Sequence, residues 1–146
     1  MPTGAKLIGA IIFGLTGALA AWIGIPGLPD GRQAGALMPL ATLSGIWFGW
    51  RLAGTHVGST LRQAFVLSVR TVAMMLVATL FLIAGEEAYQ RSIKLRYDGP
   101  IEAVTDVANL MLYFGQMAIQ GPVLTVLALG IVTGAVFVRW AGYAFE

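Results

Sequence analysis

The chain has 146 residues, enough for one domain, and 58% of them are hydrophobic while only 11% are charged. An average soluble domain carries about 25% charged residues, and a soluble fold of this size has too little interior to hide so much apolar surface. The absence of cysteine excludes disulfides, thiolate metal sites and thiol redox chemistry, and the dispersed net charge of +2 argues against nucleic acid as a partner.

The composition therefore predicts an all-α integral membrane protein whose first partner is the lipid bilayer. The expected fold is a four-transmembrane-helix bundle forming a single membrane domain, 1–146, with an additional amphipathic helix between the third and fourth spans. The first uncharged run is Leu7–Ile25, 19 residues preceded by Lys6, and about 20 apolar residues cross a hydrocarbon core. Ala18-Leu19-Ala20 imitates a signal-peptide cleavage site, but the apolar run continues past it through Trp22, Ile23 and Ile25. Pro26, Gly27, Pro29, Asp30 and Gly31 then mark a connection. The second span is expected over 34–50, short, with Pro39 inside it as a source of a kink and Trp47 and Trp50 near its end as interfacial anchors.

A basic connection holding Arg51, His56 and Arg62 leads to the third span, expected over 64–84. Arg70 lies within it. A charge there marks either an ion or substrate pathway or a long side chain that snorkels to the headgroups, and the second reading is favoured. From Gly85 to Arg96 the helix is expected to run on beyond the membrane, with Glu87 and Arg91 at the favourable i,i+4 spacing. The Tyr97-Asp98-Gly99-Pro100 sequence ends it. Between Ile101 and Gln120 the polar residues Glu102, Asp106, Asn109, Tyr113, Gln116 and Gln120 recur at steps of 3 and 4, one stripe on a helix. Its acids are confined to the first turns, which favours a surface or partly inserted helix over a fifth crossing. Together, 85–120 is expected to be an extramembrane helical corner. The last span is expected over 122–139, with Arg139, Trp140 and Tyr143 as anchors.

Small residues recur at helical spacing. Ala10, Gly14 and Ala18 share a face of the first span, Ala41, Gly45, Gly49 and Ala53 a face of the second, and Gly130 and Gly134 form GxxxG in the last. Such faces let helices approach closely in lipid, either within the bundle or against a membrane-protein partner or a second copy. The carboxylates Glu86, Glu87, Asp98, Glu102 and Asp106 are a conceivable hard-cation cluster, but pairing with Arg91, Lys94 and Arg96 accounts for them better. His56 lacks a neighbouring ligand and reads as a loop residue. No phosphate-binding loop, HExxH or nucleophile elbow is present. No catalytic, cofactor or metal residues are assigned, and a non-enzymatic role is expected. Counting basic residues, Lys6, Arg51, Arg62, Arg70 and Arg139 fall on one side, against Arg32, Arg91, Lys94 and Arg96 on the other. The first side is expected to be cytoplasmic, with both termini on it.

Three places carry a family resemblance: Met1-Pro2-Thr3 with Lys6-Leu7; Gly49-Trp50-Arg51; and Arg96-Tyr97-Asp98-Gly99-Pro100 with Glu102-Ala103. They resemble the TrgA family of small α-proteobacterial membrane proteins associated with tellurium resistance, although the first connection and the basic loop here hold fewer charges than is usual in the family. The resemblance implies a bacterial inner-membrane protein linked to tellurite resistance. Without cysteine it would act indirectly, through membrane partners. The alternatives are an accessory subunit of a larger bioenergetic complex and a small oligomeric transporter or channel. Arg96, Tyr97, Asp98, Gly99, Pro100, Glu102 and Asp106 form the candidate functional corner.

Overall fold

The computed structural model describes residues 3–27, 34–53, 60–94 and 98–144. Among these there are helices and turns and no strand. Helix α1 spans Thr3–Gly24 and ends in a short 3-10 turn, Ile25–Gly27; α2 spans Ala34–Arg51, α3 Leu61–Ile93, α4 Pro100–Ala118 and α5 Gly121–Ala144. Three of them, α1, α3 and α5, are long and apolar enough to cross a membrane. At 18 residues α2 is the shortest, and glycine, serine, Pro39 and Arg51 dilute its hydropathy.

Local signals explain most boundaries. At the start of α3 the Thr60 backbone N–H donates to Gln63 Oε1 at 3.0 Å, satisfying a donor that the helix leaves without a partner. Helix α3 runs without interruption through Ala64–Ala84 to Ile93, 33 residues or about 50 Å, against about 33 Å for α1. Gly99 caps α4, Pro100 occupies its first position, and Glu102 in the first turn accepts the Asp98 N–H at 2.9 Å. Helix α2 stays helical through Pro39, whose ring is on the exposed side, away from α1.

Helix α1 packs against α2 on one side and α5 on the other; α3 packs against the same two helices and closes the ring. The α1–α2 contact is made by backbone. Gly9 faces Gly49, Phe13 faces Gly45 and Gly17 faces Ala41, which makes the pair antiparallel. A Cβ on Gly17, Gly45 or Gly49 would overlap a carbonyl of the facing helix. Thr16 against Gly130 and Phe13 against Gly134 set α5 antiparallel to α1 in the same way. Phe13, 0% exposed, fills the centre of the ring together with Val72, Met75, Val123 and Leu127. Its ring would lie 2.5 Å from a Cβ on Gly134.

Among the described residues no fully buried side-chain nitrogen or oxygen lacks a hydrogen bond. Thr16 and Thr71 donate to the carbonyls of Ile12 and Leu67, each four residues back and at 2.8 Å. Ser44 on α2 and Thr79 on α3 meet at 2.6 Å, and each also reaches a carbonyl of its own helix. Either hydroxyl can donate the proton of the bond between the helices, the other then donating to the carbonyl of its own helix. The exterior is apolar too: Leu7, Ile11 and Leu15 on α1, Phe65, Val77 and Phe81 on α3, and Val132, Val136 and Phe137 on α5 are exposed. Helices apolar on all faces belong in a bilayer.

Because the chain has no native cysteine, the α2–α3 contact is directly testable. Mild oxidation should crosslink the Ser44→Cys, Thr79→Cys pair, while Ser44→Cys with Val77→Cys, the latter on the exposed face, should stay unlinked on gels. Gly49→Val should cost about 1–3 kcal/mol or more through overpacking, read as a lower Tm in detergent. Gly35→Ala, where a Cβ meets open space, should leave Tm within error of the parent.

A charged helical corner as the candidate functional site

Helix α4 turns back along the second half of α3. Arg91 pairs with Asp106, and Leu80 approaches Gly115, so the two helices form an antiparallel hairpin. Between these points Ile83, Ala84 and Ala88 pack against Leu110, Phe114 and Met117. Met117 reaches Gly24 at the end of α1. Helices α4 and α5 therefore run in the same direction along α3, one after the other, and touch each other little.

The hairpin is pinned near its tip by ions. Arg91 Nη1 donates to both Asp106 oxygens, at 3.1 and 2.9 Å, and Arg91 Nε donates to Glu87 Oε1 at 3.3 Å. The three side chains are only 20–21% exposed. Burial by itself lowers the Arg91 pKa, but the charges and hydrogen bonds of Asp106 and, to a smaller extent, Glu87 together outweigh it, so the net direction is upward. The guanidinium is a fixed charge, suited to holding two helices at one register rather than to exchanging protons.

The expected corner residues divide. Asp98, Gly99, Pro100 and Glu102 build the start of α4, and Asp106 locks it to α3. Arg96 and Tyr97 lie outside the described residues, as does His56. The carboxylates do not gather: among the described residues no three of His, Cys, Asp or Glu are placed to hold a metal ion. The polar stripe of α4 runs along the flank of the helix, with Asp106 and Tyr113 partly buried. The face turned away from the protein is apolar. Ile101, Val104, Leu112 and Ile119 are 70–80% exposed there.

Of the small-residue faces, Ala10, Gly14, Ala41, Gly45, Gly49, Gly130 and Gly134 are buried and Ala18 is partly buried; Gly14, Gly45 and Gly49 line the α1–α2 contact, and Gly130 and Gly134 face α1 from α5. Arg70 is on the outer surface of α3, whereas Ser68 and Thr71 beside it face inward.

Sequence reasoning placed Glu87 beside Arg91 and set Asp106 among the acids that pair with Arg91, Lys94 and Arg96, without singling out the Arg91–Asp106 pair. Arg91 and Asp106 lie 7 and 8 residues on either side of Asp98, the register expected of a helical hairpin turning there. It also passed over an open groove at the opposite end of the bundle, lined by Lys6, Trp47, Trp50 and Arg51.

No protein-family model, no curated protein and no solved structure matches the chain.

Asp106→Ala leaves Arg91 without its closest partner and should cost about 1–3 kcal/mol, the range for losing a charged hydrogen bond. Glu87→Gln removes only the weaker i,i+4 contact and should cost about 0.3–0.5 kcal/mol. Thermal unfolding in detergent should therefore show a clearly larger fall in Tm for Asp106→Ala. Equal falls would contradict this ranking.

Proposed function

We propose that the chain is a four-span protein of the bacterial inner membrane, in which α1, α2, α3 and α5 cross the bilayer. Its role is that of a non-enzymatic accessory protein that docks a membrane partner on the α3–α4 hairpin. The observation that carries this reading is the outward face of α4. Ile101, Val104 and Leu112 stand exposed along a helix that an ion network already holds rigidly against α3. A contiguous apolar face on a pre-ordered helix is what a partner helix needs, since little ordering entropy remains to be lost on binding.

Support for the fourth span comes from packing. Eighteen residues of α2 extend about 27 Å, and the helix follows α1 from Gly17 to Gly9 at backbone contact. Support for orientation comes from charge. Lys6, Arg51, Arg62 and Arg139 fall at one end of the bundle, and every described carboxylate lies from Glu86 to Asp106. The positive-inside rule puts the first end, with both termini, in the cytoplasm. The resemblance to TrgA proteins supplies the process, tellurite resistance. Without cysteine the chain does not reduce tellurite through its own thiolates, so its contribution runs through the partner, for which a subunit of a larger membrane complex is the second candidate.

Two measurements test the reading. Deleting the gene should lower tellurite tolerance or change tellurium accumulation, and unchanged values would sink the resistance role. Purification in mild detergent followed by mass spectrometry should recover a stoichiometric membrane partner. Val104→Glu with Leu112→Glu should lose that partner while the Tm stays at the parent value. A chain that always purifies alone would remove the accessory role.

A further inference from the structure

The most distinctive surface outside the corner is on the outer face of α2. Leu43, Ile46, Trp47 and Trp50 recur at i, i+3, i+4 and i+7 and are all exposed. Two open grooves follow this stripe. One, of about 500 Å³, is bounded by Lys6 and Arg51 at the basic end of the bundle. The other, of about 540 Å³, continues between α2 and α3 toward Phe81. Ile46 and Trp47 line both, so the two grooves adjoin at these side chains and together make one open path over the surface of α2. From Arg51 to Leu43 it runs about 12 Å along the helix.

We propose that this path is a binding site for one anionic phospholipid, with its phosphate between Lys6 and Arg51 and its acyl chain along Ile46 and Trp47 toward Phe81. The site rests on the reading of α2 as a membrane-crossing helix. Charge complementarity selects the occupant. Two cations from different helices line one end, every described carboxylate lies from Glu86 to Asp106, and the rest of the lining is apolar except for Ser44, whose hydroxyl is hydrogen-bonded to Ala41 and Thr79. An occupant that is anionic at one end, apolar over the remaining length and present in a bilayer has the chemistry of an acidic phospholipid. Trp50 beside the cations suits the headgroup level, where indole rings settle. Basic pockets between helices on the cytoplasmic side hold acidic headgroups by this combination. A zwitterionic headgroup brings its own cation to Lys6 and Arg51 and loses most of the attraction.

The test uses the full chain in lipid vesicles, with Trp22→Phe and Trp140→Phe so that Trp47 and Trp50 alone report. Phosphatidylglycerol or phosphatidylcholine brominated on the acyl chain is titrated in, and tryptophan quenching is followed. The anionic lipid should reach half-maximal quenching at about one fifth of the mole fraction that the zwitterionic lipid needs, or less, given the attraction of each cation near the surface. Lys6→Gln with Arg51→Gln should abolish the difference, while Arg62→Gln, in the first turn of α3 and not lining the path, should leave it intact. Equal quenching by the two lipids in the parent chain would overturn the site and leave the four-span reading standing. So would a loss of preference in Arg62→Gln as large as in the double variant, because it would mean a diffuse surface charge. Quenching by neither lipid would overturn both, since the outer face of α2 would then not meet acyl chains.

Discussion

The contact on which the rest depends is the backbone-to-backbone approach of α1 and α2. Gly9, Gly17, Gly45 and Gly49 leave no side chain between the helices, so carbonyls of one lie against the α-carbons of the other. Lipid offers no hydrophobic force between helices, and dispersion over a close interface takes its place. The approach also fixes where Phe13 sits. The Phe13 carbonyl lies against Gly45 while its ring turns to the centre of the ring of helices and meets Gly134, and α5 is placed by its glycines against Thr16 and Phe13. A methyl group at any of these positions forces one helix outward and opens the core around Phe13.

A second constraint follows from unequal lengths. Helix α3 is 33 residues and α1 is 22, and around Ile83, Ala84 and Ala88 the contacts of Ala21 on α1 and of Leu37 and Ala41 on α2 leave a side of α3 that needs a cover. Helix α4 supplies it, and Arg91 with Asp106 sets the register. The cover is itself unequal to the task of hiding its own apolar residues, which leaves Ile101, Val104 and Leu112 outward. The molecule thus divides its chemistry between two ends, basic and tryptophan-rich at one, acidic and hairpin-shaped at the other.

Much of this was legible in the sequence. Long apolar runs, uncharged in α1 and α5 and broken only by Arg70 in α3, marked these helices, and Tyr97-Asp98-Gly99-Pro100 marked the turn before α4. The glycine spacing identified packing faces but not which face met which, because Gly14 and Gly130 carry no information about their partners. Phe13 gave no signal, since one phenylalanine among many apolar residues becomes central only when glycines on two other helices make room for it. The polar stripe of α4 suggested a simple two-faced helix. The structure gives it three faces, since Leu110, Phe114 and Met117 are buried while Leu112 and Ile119 look outward, and periodicity sees only their sum. Asp106 was legible as one of the acids that pair with Arg91, Lys94 and Arg96 but not as the particular partner of Arg91, because contacts across a hairpin depend on a register that sequence spacing states only once the turn is known.

The account stands on α2 crossing the membrane beside α1. Single cysteines at Gly35, in the first turn of α2, and at Thr60, the cap of α3 beyond its other end, test it in a chain that has no others. Gly35 has open space for the new side chain, and Thr60 is exposed. With a membrane-impermeant maleimide, Thr60→Cys should label in inverted inner-membrane vesicles and Gly35→Cys in spheroplasts. Labelling of both from the same side would mean that α2 does not cross, and the four-span bundle would have to be abandoned.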